Sequence, residues 1–460
     1  MARGSGLADE AAVASDDYGE DRISALPDDA LHHILFFLPS DDAVQTCVLA
    51  RRWRHLWRFT LSLRVTPRPG GWTASTLTSF VNHFLLLRAA AVPVHECDIL
   101  CGQFDDGDSE SGEDDLPDLY KYTLDEELNQ AACLWIRHAL ANSQPRVLRV
   151  RFRARRRLCL DDVPYFASPL LKTEELTDAT FHDPSRCIDF SMCPALEDLT
   201  KRGCKIFSDR ISSASLARLA VSPLLAAIST GSAPLLEKMP LLVAASVTLE
   251  GMCVDTCLHN VCKHWLRKFN GGDRDSCYCI DDDGKGVYLE NLYSCDSCYG
   301  RDDGSSVVLQ GLSEATDLEL ISNPRVFIFR KDCNSCTTFS KLRTLLLNEW
   351  CLAVDFGALI YFLQCSPVLE KLTLELGYCE TRYPVTKTDE GYNPKEELFF
   401  VSKQLKMVEI RCAKKNNLVE KLLLLLMTNG VPSEQIQIEQ NFSPPDLSGY
   451  ETANSEYGDW

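Results

Sequence analysis

Hydrophobic and polar residues alternate most regularly near the start of the chain, within residues 22–65. Apolar residues recur there at the i, i+3, i+4, i+7 spacing of one helix face. They are Leu31, Ile34, Leu35 and Leu38. Pro27 suits the first turn of this helix because its missing N–H would have no partner there, and Pro39 ends it. Ser40 and Asp41 then offer an N-cap for a second helix.

Two further apolar stripes follow Pro39 and predict two more short helices. They consist of Val44, Cys47 and Val48, and then of Ala50, Trp53, Leu56 and Trp57. Three helices this short cannot bury so many large side chains among themselves. The surplus either packs on the rest of the chain or forms a surface for a partner, and we favour the partner.

Beyond this stretch the pattern favours a helix over 77–91, a strand over 94–101 and a helix over 124–140. A different unit then recurs, namely an apolar residue, two spacers, an apolar residue, one spacer and an apolar residue. Its matches begin at Val147, Thr173, Leu196, Leu216, Ala244, Ala315, Leu342, Leu369 and Leu405. The matches at Thr173 and Leu196 each lack one apolar residue.

Most of these units are separated by roughly 20–29 residues, the period of leucine-rich repeats. The two-residue alternation in each unit predicts a short strand. A related sequence motif recurs as CPALEDL at 193–199, APLLEKM at 233–239 and SPVLEKLTL at 366–374. We therefore expect an α/β fold in which parallel strands stack into an irregular solenoid. Ordinary buried strands of an α/β domain are the alternative.

The stretch 22–65 also resembles an F-box. The resemblance lies in Leu26-Pro27-Asp28-Asp29, in the following apolar stripe and in TCVLARRWRHLW at 46–57, which is similar to the version common in plants. Asp28 stands where many members have Glu, and Ala50 where many plant members have Ser. That family docks a Skp-type adaptor, which links it to a cullin–RING (SCF-type) ubiquitin ligase. The resemblance implies these adaptor-binding residues: Leu26, Pro27, Leu31, Ile34, Leu35, Leu38, Val44, Cys47, Val48, Trp53 and Trp57.

The later chain resembles the leucine-rich half of plant F-box proteins, through SNPRVFIFRKD at 322–332 and FSKLRTLLLNEW at 339–350. SKQLKMVEIRC and VPSEQIQIE resemble an FBD-type C-terminal segment. The expected organisation is a disordered acidic leader (1–20), a three-helix F-box (21–65), a helical linker or cap (66–140) with an acidic loop (105–118), a leucine-rich-repeat solenoid (141–412) with a Cys/Asp/Gly-rich insert (about 252–306), an FBD-like segment (413–440) and a disordered tail (441–460).

Charge and hydropathy limit the binding partners and the cellular compartment that we expect for the protein. The net charge of −19 disfavours binding to nucleic acid or to an anionic membrane. The longest apolar run, at 422–427, is too short to span a bilayer, and the N-terminal residues lack the apolar centre of a signal peptide. We expect a cytoplasmic or nuclear protein, in which most cysteines are buried or free thiols.

The insert contains the densest group of candidate metal ligands. These are Cys253, Cys257, Cys262, Cys277, Cys279, Cys295 and Cys298, with His259 and His264. Only Cys295 and Cys298 have the spacing of a structural zinc site, so free thiols are the favoured interpretation. Asp281-Asp282-Asp283-Gly284 and Glu290 approach the spacing of a calcium loop, but Cys279 occupies its first ligand position. We therefore predict no metal and no cofactor.

The basic run RVLRVRFRARRR at 146–157 predicts a strand with one solvated face, and a patch for an anion or an acidic partner is the alternative. No G-x-S-x-G, H-E-x-x-H, G-x-G-x-x-G or complete phosphate-loop motif is present. The favoured hypothesis is a non-catalytic substrate-recognition subunit whose repeat arc binds an unknown target protein. The alternatives are a leucine-rich interaction scaffold that is not linked to ubiquitination, and a zinc-dependent binding module.

Overall fold

The structure is a computed structural model of the 460-residue chain. It describes residues 23, 25–66, 73–89, 92–102, 118–153, 158–160, 168–182, 187–207, 210–222, 235–249, 278–280, 286–288, 308–322, 328–333, 337–352, 356–376 and 403–442.

Residues 25–59 form a compact group of short helices, which we call the helical block. Its elements are α1 (Asp28–Phe37), α2 (Ser40–Gln45) and the 3₁₀ segments Thr46–Val48 and Arg51–Phe59. The residues that the sequence assigned to a third helix are thus wound as a 3₁₀ segment. Five longer or later helices follow: α3 (Ala74–Leu87), α4 (Asp118–His138), α5 (Ile328–Asp332), α6 (Gly357–Cys365) and α7 (Asn417–Thr428).

The strands are, in chain order, β1 (Ser62–Val65), β2 (Glu96–Gly102), β3 (Val147–Arg153), β4 (Leu158–Cys159), β5 (Thr173–Thr177), β6 (Ala179–His182), β7 (Cys187–Asp189), β8 (Asp198–Arg202), β9 (Lys205–Phe207), β10 (Arg210–Ser212), β11 (Arg218–Ser222), β12 (Leu235–Leu236), β13 (Ala244–Leu249), β14 (Tyr278–Ile280), β15 (Gly286–Tyr288), β16 (Asp317–Ser322), β17 (Thr344–Asn348), β18 (Lys371–Leu376), β19 (Met407–Cys412) and β20 (Ile436–Gln440).

Twelve of these strands form one parallel sheet in the order β1-β2-β3-β5-β8-β11-β13-β16-β17-β18-β19-β20. The order follows the chain, so each unit adds its strand beside that of the preceding unit. The expected α/β class with parallel strands is therefore confirmed. Each of the nine repeat matches begins within two residues of a strand of this sheet. The sheet also includes β1, β2 and β20, which lie outside the nine repeat matches.

The register of the sheet corrects the phase of three matches. Leu342 precedes β17, and Leu345 and Leu347 face the core within it. In the aligned strands, Val147, Thr173 and Ala244 lie in the same row as Thr344, which comes two residues after Leu342. The matches that begin at these three residues therefore start two residues late. A six-residue pattern allows this slip because a strand repeats every two residues.

The two weak repeats are explained by a buried ion pair. The inward positions of β5 and β8 that lack an apolar residue hold Glu174 and Lys201, which lie on adjacent strands. Lys201 Nζ donates to Glu174 Oε1 at 2.7 Å, and the two side chains are 3% and 0% exposed. Lys201 Nζ also lies 5.9 Å from the centre of the Phe190 ring. Each charge thus offsets the desolvation cost of the other inside the core.

One continuous apolar core runs beneath the sheet, from Leu35 in the helical block to Leu426 in α7. The chain returns between strands in two ways. Between β3 and β13 it forms two small parallel sheets, β4-β6-β9 and β7-β10-β12, whereas α3 and α4 lie between the first three strands and α5, α6 and α7 between later strands. Gly311 is required in this core because a Cβ there would lie 2.5 Å from the carbonyl oxygen of Leu236.

Several sequence predictions lie outside the described residues. They are the acidic leader, the acidic loop up to 117, the tail beyond 442, residues 154–157 of the basic run, the calcium-loop residues and all zinc candidates except Cys279. Within the described ranges, no group of three or more His, Cys, Asp or Glu side chains could hold a metal ion. Among the helices of those ranges, none is long and apolar enough to cross a membrane.

Candidate functional site

The helical block exposes several large apolar side chains. Val48 is 82% exposed, Leu49 68%, Phe37 58% and Ile34 40%. Single exposed apolar residues are common on protein surfaces, but several on one segment of about forty residues indicate an interaction surface. We call Ile34, Phe37, Val48 and Leu49 the apolar surface of the helical block.

The structure divides the predicted adaptor-binding residues into three groups. Leu31, Leu35, Trp53 and Trp57 are buried; Leu26, Leu38, Val44 and Cys47 are half-buried; Pro27, Ile34 and Val48 are exposed. The stripe of α1 is therefore not one exposed face, since Leu31 and Leu35 are 0% exposed and belong to the core. Within this chain only the exposed and half-buried groups are open to a partner.

The sequence prediction did not include Phe37 and Leu49, which are among the most exposed apolar residues of the block. A usable signal was present for Phe37, because it lies three residues after Ile34 and outside the i, i+4 pair Leu31 and Leu35 that faces the core. Leu49 directly follows Val48 where the 3₁₀ segment Thr46–Val48 ends, and no periodicity marks a residue at a helix end.

The termini of the block are held together by polar contacts. Arg52 donates from Nε and Nη2 to Asp28 Oδ1 at 3.0 and 2.6 Å, which links the last 3₁₀ segment to the first turn of α1. Thr46 Oγ1 donates to the carbonyl oxygen of Ala43 at 2.7 Å at the end of α2. Asp28 and Asp29 lie in the first turn of α1, where the helix dipole favours negative charge.

Ser40 and Ser62 connect the block to the first strand of the sheet. Ser62 Oγ donates to the carbonyl oxygen of Phe36 at 2.7 Å, and Ser40 Oγ accepts from the backbone N–H of Arg64 at 3.0 Å. The predicted N-cap role of Ser40 is therefore wrong, because its hydroxyl is used by β1 and it makes no capping bond. The Ser40 hydroxyl thus provides a hydrogen-bond acceptor for a backbone N–H at the edge of the sheet that would otherwise have no partner.

Arg88, directly after α3, links the residue that follows the block to the segment that precedes β2. Its guanidinium donates to the carbonyl oxygens of Thr60, Val92 and Pro93 at 2.5, 3.0 and 3.2 Å. The residue is 7% exposed, and burial lowers the pKa of the guanidinium. Trp57 packs beside Phe84 of α3 with ring centres 5.5 Å apart. The apolar surface is thus carried on a block that is fixed to the sheet.

Alternate residues of the twelve strands form the other large surface, which we call the outer face of the sheet. Its charges are paired across strands: Arg149 contacts Glu96 at 2.5 Å and Glu175 at 3.6 Å, and Arg151 contacts Asp98 at 2.7 Å. These contacts support the interpretation of residues 147–153 as a strand with a solvated face. They weigh against an anion-binding patch there, because both arginines already have carboxylate partners.

The buried cysteines are suited to packing rather than to catalysis. Burial raises the pKa of Cys101 to about 12 and that of Cys204 to about 11, and it also raises the pKa of Cys97. Thiols that stay protonated at neutral pH are poor nucleophiles and poor metal ligands.

Comparison with known proteins agrees with the geometry of the block. Residues 23–62 match the model of the F-box domain. An F-box/LRR-repeat protein of Arabidopsis thaliana is 52% identical over 62 residues, which cover 14% of this chain and 13% of that protein. An F-box/FBD/LRR-repeat protein of the same plant is 45% identical over 73 residues, which cover 15% of each chain. F-box/LRR-repeat protein 25 of that plant is 48% identical over 71 residues, or 13% of this chain and 28% of that protein.

These matches lie over the F-box region and span less than a third of each relative. The chain therefore carries an F-box domain at its N-terminus, and its similarity to F-box/LRR-repeat and F-box/FBD/LRR-repeat proteins of Arabidopsis is confined to that region.

Proposed function

We propose, from its N-terminal F-box domain, that this chain is the substrate-recognition subunit of a cullin–RING (SCF-type) ubiquitin ligase. The F-box docks a Skp-type adaptor, and the rest of the chain binds a target protein. The role is non-catalytic: it accelerates ubiquitin transfer by holding the target near the charged enzyme, which raises the effective concentration of the reacting groups. We place this activity in the cytoplasm, in the nucleus or in both.

The observation that supports adaptor docking is the apolar surface of the helical block. Val48 and Leu49 keep most of their surface in water although the same block buries Leu31, Leu35 and Trp53. Burying such side chains in a complex is favourable by about 25 cal/mol per Å² of apolar area. A block that is hydrogen-bonded to the sheet through Ser40 and Ser62 would transmit the position of the adaptor to the sheet.

We further infer that the twelve-stranded sheet is the strand ladder of a leucine-rich-repeat solenoid. Support comes from the chain-ordered parallel strands and from the recurring inward leucines, such as Leu345, Leu347, Leu372 and Leu374. In this interpretation α7 and β20 are the FBD-like segment that closes the later end of the ladder, because β20 pairs only with β19 among the described strands.

Co-purification with a Skp-type adaptor tests the proposal. The full chain is co-expressed with the adaptor as wild type, as Val48→Asp/Leu49→Asp and as Leu86→Asp. We expect a stable complex with the wild type and with Leu86→Asp, and a loss of about tenfold or more in affinity for the double variant, because buried charges at an apolar contact are costly. Leu86 is the matched control since it is 78% exposed but lies on α3, outside the block.

Stability measurements separate docking from folding. All three replaced side chains are exposed, so we expect each variant to unfold within about 0.5 kcal/mol of the wild type. If the folded wild-type chain forms no complex, or if the double variant binds as well as Leu86→Asp, the ligase role is refuted. The first result would favour the alternative, a leucine-rich interaction scaffold that is not linked to ubiquitination.

A further inference from the structure

On the outer face of the sheet, seven carboxylates have a Lys or Arg partner. They are Glu96, Asp98, Glu175, Asp198, Glu375, Glu409 and Glu439. The partners lie on neighbouring strands or on the same strand, as with Arg411, which contacts Glu375 at 2.8 Å and Glu409 at 2.9 Å. Most of the sheet surface therefore neutralises its own charge.

The two carboxylates of β16, Asp317 and Glu319, differ from these seven. Neither has a Lys or Arg partner at ion-pair distance among the described residues. Asp317 accepts from the hydroxyls of Thr316, at 2.8 Å, and Thr344. Glu319 accepts from the Ser246 hydroxyl, and its pKa is raised by burial and by the nearby Glu375 carboxylate. Folding thus removes water from Glu319 without supplying a cation.

The residues beside Glu319 on the outer face are small or neutral. The register places Ser246 and then Ala220 on one side, and Leu346 and then Thr373 on the other. The nearest cations of the outer face, Arg218 and Lys371, each lie two strands from Asp317 in the register, and they are paired with Asp198 and Glu409 respectively. A partner can therefore approach the two acidic residues across low side chains, and no basic residue of the described face competes for them.

We propose that the outer face around β16 docks an extended, basic segment of the target protein, with Asp317 and Glu319 receiving a Lys or Arg side chain. This inference rests on the proposed role of the chain as a substrate receptor. Two carboxylates on alternate residues of one strand fit a charged side chain that lies across that strand. The net charge of −19 also speeds the approach of a basic partner.

Arrays of short peptides test the inference with the full chain. All positions are randomised except the central one, which is fixed as Arg, Lys, citrulline, norleucine or Glu. We expect the wild-type chain to bind the Arg and Lys arrays about tenfold more strongly than the citrulline and norleucine arrays. This preference should disappear in Asp317→Asn/Glu319→Gln and in Glu319→Gln alone. It should persist in Glu439→Gln, which removes the same charge from the far end of the same face.

Two results would overturn the inference: no preference for cationic peptides in the wild type, or an unchanged preference in both β16 variants. Thermal unfolding controls for folding, and Glu319→Gln should be at least as stable as the wild type at neutral pH. A carboxyl whose pKa is raised on folding destabilises the native state above its unfolded pKa, and the amide removes that cost. Adaptor binding, measured on the same samples, should be unaffected. A chain that prefers cationic peptides but binds no adaptor would refute the ligase role, and the basic segment would then belong to a binding partner that is not a ligase target.

Discussion

The apolar surface of the helical block and the outer face of the sheet differ in how they meet solvent. The block presents uncovered apolar side chains, above all Val48 and Leu49. The sheet presents charged residues that satisfy one another across strands, such as Arg64, Glu96 and Arg149. A surface whose charges are already paired gains little free energy by binding a partner. An exposed apolar surface gains free energy for every apolar side chain that the partner covers.

This difference indicates where each surface can be specific. Apolar contacts are strong but discriminate weakly, which suits a block that docks one common adaptor. Charged residues discriminate between partners by charge complementarity, but a residue that already has an ion-pair partner within the chain is not available for this. Specific binding on the sheet therefore falls to the residues that its pairing leaves over, Asp317 and Glu319. Three sets of substitutions test how burial and ion pairing differ between the block and the sheet.

The largest effect is expected inside the sheet, at the buried ion pair. Lys201→Met leaves the fully buried Glu174 without its cation and should cost about 3–5 kcal/mol of unfolding free energy. Glu174→Leu/Lys201→Met should recover most of this loss, since an apolar pair of similar volume needs no compensation. Urea unfolding of the four members of the cycle measures both effects. If the single and the double variant are equally stable, the pair does not act as a unit.

The next largest effect concerns two neighbouring apolar residues of α1, one of which is buried and the other exposed. Leu35→Ala removes a side chain that is 0% exposed and should lower the unfolding free energy by about 2–5 kcal/mol. Ile34→Ala, at 40% exposure, should lower it by less than about 1 kcal/mol and should act mainly on adaptor affinity. Equal losses of stability in the two variants would contradict the division of α1 into a core side and a docking side.

The smallest effect is expected on the outer face of the sheet. Arg218 pairs with Asp198 while its side chain is 62% exposed, and the pair raises the pKa of Arg218. Arg218→Gln should cost less than about 1 kcal/mol at low salt because solvent screens the pair. The difference from the wild type should shrink in concentrated NaCl, which further screens exposed charges. A larger loss of stability that does not depend on salt would contradict this, because it would show that the pair of Arg218 and Asp198 stabilises the fold of the sheet.

Much of the fold follows from the sequence. The apolar period of 31–38 predicted α1, and the nine repeat matches predicted nine of the twelve strands of the sheet to within two residues. These predictions succeed because periodicity depends only on which residues alternate between core and solvent. The units at Thr173 and Leu196 appeared defective, since a Glu and a Lys in separate strands cannot be recognised as a pair before the sheet aligns them.

The candidate surfaces show the same limit. The sequence determined that residues 22–65 contain short helices with more apolar surface than they can bury, and it identified most of the residues concerned. Only the tertiary structure decided that Leu31 and Leu35 pack inward while Ile34, Phe37, Val48 and Leu49 stay exposed. It alone separated Asp317 and Glu319 from the other carboxylates of the sheet. Exposure and ion pairing depend on neighbours that are distant in the chain, and a linear pattern carries no record of them.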